Sequence, residues 1–429
     1  MSWFTDLIAA LRISEVRKRI LFVLLILGVF RLAAAVPVPG IDASQLRAFF
    51  EGNQFFGILN IFSGGALSNL SIVMLGLGPY ITATIILQMF TLIFPKMKEL
   101  YQESGEDGRR KFNQYGRMLT VPLAALQGYS LIVLFSRQGI ITIEGPLTII
   151  GVLASIVAGS LFLMWLGELV SERGIGNGIS LLIFAGIIAG VPLGLREALI
   201  SGTQQDLPRY LLFSAISLAI IMGVIVVNEA RRNIPVSYAK RVRGTKLYGG
   251  ATTYLPLTLN PAGVIPIIFA LSLLLFPGII GNFLATSANP TLLSIAQVLT
   301  SFTNNVGVYA AAYFLLVVFF TYMYTAVTFN PASIAENLQR QGGFIPGIRP
   351  GEPTAERITF ILNRTLLIGA FFLGFIAIVP ALAHGGLQGG TQATATSFII
   401  GGTSVLIVVS AVLETMRQIR AQVGMRQYE

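Results

Sequence analysis

Residues able to do covalent or acid-base chemistry are scarce in this chain. It has one histidine, His384, and no cysteine. Thiolate metal sites, disulfides and a cysteine nucleophile are therefore excluded, and neither a paired-histidine zinc signature nor a Ser-His pair within one span can be assembled. The run Gly174-Ile175-Gly176-Asn177-Gly178 has the glycine density of a phosphate-cradling loop, but it joins two apolar blocks and not a strand to a helix. It reads as a tight helix-helix turn. The ionisable residues Arg31, Glu168, Glu229, Arg364 and Glu414 all fall near the ends of apolar blocks, where long side chains reach water. Proton- and ion-coupled transporters instead place carboxylates or histidines near the bilayer midplane. The expectation is no enzyme, no metal and no resident cofactor.

The elements that carry these residues belong in lipid. Of the 429 residues 54% are hydrophobic and 11% charged, against about 25% charged in a soluble domain, and mean hydropathy is +0.76. Apolar residues gather in blocks of about 18 to 25, enough to cross the roughly 30 Å hydrocarbon core as helices. Ten spans are expected: Ile20 to Val36, Leu70 to Phe94, Met118 to Phe135, Leu147 to Leu166, Ile179 to Leu195, Tyr210 to Val227, Ala262 to Ile280, Tyr309 to Phe329, Ile358 to Leu382, and Ser397 to Leu413. The 45 glycines and 19 prolines predict interrupted, closely packed helices, with proline inside spans three, five and seven.

Charge fixes an orientation. With the N-terminus inside, 24 of the 29 Lys and Arg fall on the inward segments, while the outward segments hold only Arg47, Arg137, Arg196 and Arg209. Both termini are thus expected in the cytoplasm. Arg17 to Arg19 followed by an apolar run and Ala33 to Ala35 imitate a secretory leader. Against that reading, Trp3, Phe4, Leu7, Ile8 and Leu11 recur at helical spacing and suggest an amphipathic helix on the inner membrane surface.

Two features depart from a plain bundle. Between spans one and two, Phe55 to Ala66 is apolar but too short to cross, and it ends in the pair Gly64-Gly65. It reads either as a half-length helix, which must be buried in protein or line a wet cavity, or as a surface loop. The two largest inward loops, about 229–258 and 330–357, are basic and rich in breakers. Four prolines from Pro331 to Pro353 stiffen the second, which could project Arg349 toward a partner or simply be solvated.

Six ordered stretches carry a resemblance. They are Gly78-Pro79-Tyr80-Ile81-Thr82-Ala83-Thr84-Ile85-Ile86-Leu87-Gln88, Glu106-Asp107-Gly108-Arg109-Arg110-Lys111, Glu172-Arg173-Gly174-Ile175-Gly176-Asn177-Gly178-Ile179-Ser180, Asn260-Pro261-Ala262-Gly263-Val264-Ile265-Pro266, Pro346-Gly347-Ile348-Arg349-Pro350-Gly351, and Gly401-Gly402-Thr403-Ser404. Together with the topology they make the chain resemble the SecY family, central subunits of the bacterial protein-conducting channel, over nearly its whole length.

The resemblance implies an all-α polytopic membrane protein, ten transmembrane helices in two inverted five-helix halves at 1–195 and 196–429, with a re-entrant plug half-helix at about 55–68. It implies a gated polypeptide channel in the cytoplasmic (inner) membrane that translocates unfolded secretory proteins and releases apolar segments sideways into lipid. The matching pore-ring positions are Ile81, Ile85, Ile183, Ile187, Ile268 and Ile407; the registers on spans five and seven are open, because Ile179, Ile265 and Ile267 lie close by. The plug maps to Ile61, Phe62, Ser63, Gly64, Gly65, Ala66 and Leu67, and the lateral gate to spans two, three, seven and eight. Arg243, Lys246 and Arg349 map to the docking surface for the ribosome, through ribosomal RNA, and for the SecA motor. SecE and SecG subunits, an unfolded preprotein with its signal sequence, and membrane lipid complete the implied partners. Alternatives are a secondary transporter of a small solute, a structural membrane scaffold and an intramembrane protease, the last opposed by the lack of a usable His or Asp pair.

Overall fold

The computed structural model describes residues 12–38, 63, 65–67, 69–102, 105–137, 139, 145–201, 207–238, 241–243, 246–248, 252–285, 289–386 and 402–426. The surface helix expected over residues 3 to 11 lies outside them.

Each of the ten expected spans coincides with a helix. In chain order they are α1 (Ser14–Ala35), α2 (Gly78–Ile93), α4 (Gly105–Arg137), α5 (Pro146–Arg173), α6 (Gly178–Ser201), α7 (Leu207–Glu229), α8 (Ile265–Leu284), α10 (Val306–Thr328), α12 (Glu352–Gly386) and α13 (Gly402–Arg426). Three further helices join them: α3 (Pro95–Gln102), α9 (Pro290–Asn304) and α11 (Pro331–Arg340). By length and apolarity alone the stretches centred on α4, α5, α10 and α12 would each cross a bilayer, and α2 with α3 makes a fifth, bent by 116° at its break.

Helix starts follow local chemistry. Asn289, Asn305 and Asn330 each accept backbone N–H groups at the starts of α9, α10 and α11, which satisfies donors that a helix leaves free. Glu106 and Asp107 in the first turn of α4 meet its positive dipole end. The α5–α6 turn at Gly174 to Gly178 is a tight helix-helix turn, as its residues suggest. A Cβ at Gly178 would stand 1.9 Å from the Gly167 carbonyl oxygen, so only glycine lets the two helices approach. Asn177 Oδ1 accepts the N–H groups of Ile179 and Ser180 at 3.1 and 3.3 Å.

Span two departs from expectation. Its helix begins at Gly78, and the residues from Leu70 to Leu77 are a series of turns. Leu70 has φ 42° and Gly76 φ 58°, incompatible with a right-handed helix, and Pro79 fits only its first turn. This irregular backbone is wrapped in protein. Val38 N–H donates to the Leu70 carbonyl at 2.8 Å and Ile72 N–H to the Val36 carbonyl at 3.0 Å. Ser160 Oγ of α5 donates to the Gly76 carbonyl at 3.2 Å. Without lipid-side hydrogen bonds available, such partners are what make broken helix tolerable inside a membrane.

The two long basic loops are also more structured than expected. β1 (Arg231–Tyr238) pairs antiparallel with β4 (Thr252–Thr258) and, at its end, with β5 (Gly343–Phe344), while β2 (Arg241–Arg243) pairs with β3 (Lys246–Tyr248). Ile234, Leu257, Ile345 and Ile358 form a small core that fastens the three-stranded sheet to α12.

The helices pair in an order that repeats. In the first five spans α1 packs on α5 and α6, α2 on α4, α4 on α5, α5 on α6 and α2 on α5; in the second five α7 packs on α13, α8 on α10, α10 on α12, α12 on α13 and α8 on α12, so the order repeats except for the α1–α5 contact. Between the sets, α2 meets α8 and α10, α4 meets α8, and α6 meets α13.

Candidate functional site

The six isoleucines that the sequence singles out are all buried in one large apolar cluster. Ile81 and Ile85 on α2, Ile183 and Ile187 on α6, Ile268 on α8 and Ile407 on α13 are all at most 6% exposed and belong to one apolar cluster at the centre of the bundle. Each pair four apart projects from one helix face. On α8 the neighbour Ile267 is buried in the same cluster and Ile265 is partly buried, so that stretch is packed on more than one side. Phe269 extends the cluster toward α10, 5.9 Å from Phe320 and 6.0 Å from Tyr324 between ring centroids.

The placement has a local cause that recurs. Gly76 and Gly263, at φ 58° and 63°, each stand three residues before a helix-opening proline, Pro79 and Pro266, and Ile81 and Ile268 each follow that proline by two. A second echo links α6 and α13: Gly178-Ile179-Ser180-Leu181-Leu182-Ile183 against Gly402-Thr403-Ser404-Val405-Leu406-Ile407. From Ser180 to Ile183 and from Ser404 to Ile407 their burial agrees, with Ser180 and Ser404 both 5% exposed and Ile183 and Ile407 both 1%.

Of the expected plug residues, Ile61, Phe62 and Gly64 lie outside the described residues. Ser63, Gly65, Ala66 and Leu67 form a turn, with Gly65 at φ 81° and Ser63 Oγ accepting the Leu67 N–H at 3.0 Å. Ala66 is fully buried in the same cluster as the six isoleucines, whereas Leu67 faces a second cluster with Leu131, Phe135 and Ile156 of α4 and α5. The turn thus contributes one small side chain to the large central cluster.

A cleft opens beside them between α2, α4, α6 and α8. Ile81 and Ile183 line it with Leu75, Leu271 and Phe276, and Thr82, Gln127 and Ser272 supply its polar atoms. Below it α3 turns back over the bundle, and Tyr101 packs on the central cluster and 4.8 Å from the Phe112 ring. Burial raises the Tyr101 phenol above its usual range, with Arg109 opposing.

The basic residues singled out by the sequence lie on two connections outside the long helices. Arg349 is exposed, on a loop whose shape is set by Gly347 and Gly351 at φ 82° and 98° and by the Thr354 hydroxyl, which donates to the Arg349 carbonyl at 2.8 Å. Arg243 and Lys246 pair with each other as the closing residues of the β2–β3 hairpin; their side chains lie outside the described residues, as does that of His384. Among the described residues no three acidic or histidine side chains gather as a metal site would require.

A bundle of long apolar helices with a broken one at its centre, around one large buried apolar cluster, defines the class: a polytopic helical membrane protein. The family model for SecY matches residues 71–416. The protein translocase subunit SecY of Streptomyces galbus is 42% identical over 98% of both chains. Among solved structures, a protein-conducting channel superposes with TM-score 0.66 at 21% identity, and a SecY whose plug domain is described as stabilising the closed channel with 0.61 at 20%. Sec61 of the canine ribosome-channel complex superposes with 0.64 at 20%. Each of the three covers 93% of this chain and 90% of its own. The chain belongs to the SecY family of protein-conducting translocation channels.

Proposed function

We propose that this chain passes unfolded secretory polypeptides across the cytoplasmic membrane through the ring of Ile81, Ile85, Ile183, Ile187, Ile268 and Ile407, and releases apolar segments into lipid between α2 and α4 on one side and α8 and α10 on the other. The observation that carries this reading is the single buried cluster containing all six isoleucines and Ala66 of the plug turn. A narrow aliphatic ring excludes water and ions by dewetting, yet offers a passing peptide no hydrogen bond that would hold it. The plug, from Ile61 to Leu67, closes the outer side of the ring and leaves when a chain enters; Gly64 and Gly65 give its backbone the freedom to do so. A client segment of about 20 apolar residues leaves through the seam, driven by its transfer out of water.

The division at 195/196 into two inverted halves is supported by the repeated helix pairings and by the two echoes around the ring. Both termini and the basic loops lie in the cytoplasm, on the strength of the Lys and Arg bias. Arg349, Arg243 and Lys246 then meet the ribosome and the SecA motor. A cationic tip on ribosomal RNA gains from counterion release, and one protein of similar fold, canine Sec61, is found in a ribosome-channel complex. SecE and SecG assemble beside the chain. The channel supplies no energy of its own; the motor or the ribosome does.

The test is reconstitution in sealed liposomes with SecE, adding SecA, ATP and an unfolded precursor, and scoring protease protection. Protection that needs ATP and is lost in Arg349→Glu, with that variant still folded and inserted, is the expected result. No protection by the folded wild-type complex would refute the channel, and normal protection by Arg349→Glu would refute the docking assignment.

A further inference from the structure

A polar network with a buried centre at Asn228, Asn260 and Ser410 and exposed ends at Glu229 and Gln418 has no part in the ring, plug or seam. α7 ends at Glu229 and passes through Ala230 into β1, and β4 returns through Leu259 and Asn260 into α8. The two ends of this ribbon are tied where Leu259 N–H donates to the Ala230 carbonyl at 2.9 Å. Asn260 Nδ2 donates to Asn228 Oδ1 and to the Gly263 carbonyl, both at 3.0 Å. Asn228 Nδ2 in turn donates to Ser410 Oγ of α13 at 2.8 Å. Arg417, two turns further along α13, donates through Nη2 to the Asn228 carbonyl at 2.5 Å and lies 3.4 Å from Glu229 Oε1. Next to it Gln418 Oε1 accepts the Gly176 N–H at 2.7 Å, at the entrance to α6.

These bonds fall close to the ring on three helices. Ser410 is three residues past Ile407, Asn260 is eight before Ile268, and Gly176 is seven before Ile183. Nor is the network saturated. Asn260 Oδ1 and Arg417 Nε are buried without a hydrogen-bond partner among the described residues. Unpaired buried polar atoms are costly in any state, and here they leave room for a second arrangement in which both gain partners. A mere cap on the end of α7 would need only the Arg417 bond to the Asn228 carbonyl; it would not need side chains bridging α7, α8 and α13.

We infer that Asn228, Asn260, Ser410 and Arg417 are positioning residues that couple the β1–β4 ribbon to the isoleucine ring, so that a partner pulling on the ribbon moves α8 and α13 together and changes the width of the constriction. This rests on the docking and ring assignments above. The ribbon is stiff enough for the task, being paired along seven consecutive positions from Arg231 to Ser237.

The experiment separates the coupling from docking. Complexes of this chain with SecE are placed in planar bilayers, and ion conductance is recorded before and after adding empty bacterial ribosomes, whose binding to vesicles is measured in parallel by flotation. The expected result is a conductance response in the wild type that falls about tenfold in Ser410→Ala and Arg417→Gln, with unchanged ribosome affinity. Arg417→Lys, which keeps a donor for the Asn228 carbonyl, should recover part of the response. A response of wild-type size in both disruptive variants overturns the coupling, as does a loss of ribosome affinity that accounts for the lost response. Ser410→Ala removes one hydroxyl and carries the test if Arg417→Gln fails to fold. Wild-type complexes that bind no ribosomes refute the docking assignment itself, and the coupling with it; those that bind without any change in conductance refute the coupling alone.

Discussion

Isoleucine at the constriction has two properties that no polar residue of similar size combines. In the proposed ring its branched, unionised side chain would fill the constriction when the channel is shut and make no directional bond to a peptide when it is open. At 1% exposed, Ile407 is as buried as any of the six. Ile407→Asn places an amide in a buried apolar cluster, so the closed state bears a cost of about 1–3 kcal/mol for an unpaired polar group. The open population should rise by about an order of magnitude or more. We expect passage of precursors with defective signal sequences and a measurable ion leak in liposomes; unchanged stringency and leak would place the ring elsewhere. The six positions were named from family motifs in the sequence, and composition alone could not have found them, because an isoleucine on a span is ordinarily packed or lipid-facing. The match of Gly178 to Ile183 with Gly402 to Ile407 was present in the sequence but too short to stand out, until the helix starts aligned the two stretches.

The elements were legible wherever hydropathy decides, and obscure where backbone geometry does. All ten apolar blocks became helices, because a backbone in lipid has no other local way to pair its polar groups. The strands of the basic loops were hidden by their prolines, which read as breakers. Pro235 sits opposite Tyr254, and Pro256 opposite Asn233, in a small sheet outside the bundle, where each can forgo a donor. The helix Pro290–Asn304 escaped notice because it is 15 residues long, short of a span. The break before α2 was missed since Leu70 to Leu77 is apolar throughout its length, and only φ at Leu70 and Gly76 forbids the helix. A packing glycine holds that break. A Cβ at Gly159 would lie 2.1 Å from the Ile72 carbonyl oxygen, whereas one at Gly151 on the same helix meets nothing within 4 Å. Gly159→Val should therefore destabilise the complex by about 1–3 kcal/mol through overpacking, and Gly151→Ala should change it by no more than about 1 kcal/mol. Thermal unfolding in detergent compares them directly; equal effects would mean that the segment from Leu70 to Leu77 is not held against α5.

At the scale of the molecule, the way the two sets of five helices touch dictates how the structure can open. Among the described residues the main contacts between them run from α2 and α4 to α8 and α10, from α6 to α13, and, through Val16, Ile175, Ile419 and Val423, from α1 and the α5–α6 turn to α13. The bonds from Gln418 to Gly176 and from Arg417 to Asn228 gather the ends of α6, α7 and α13, so the opposite seam, along α2 and α8, is the one with fewer polar ties. It also holds the cleft, with Thr82 on one wall and Ser272 on the other. Sequence pattern could not distinguish these contacts, since all are apolar surfaces on apolar helices and differ only in which residues lie beyond their ends. The absence of cysteine makes the seam directly testable. In Thr82→Cys/Ser272→Cys, oxidation should join α2 to α8 and stop both signal-sequence engagement and membrane insertion of a client, with activity returning on reduction and each single variant unaffected by oxidant. If insertion continued at the wild-type rate in molecules shown to be fully cross-linked, apolar clients would have to leave by another path, and the contacts on α13 would be the remaining ones to open.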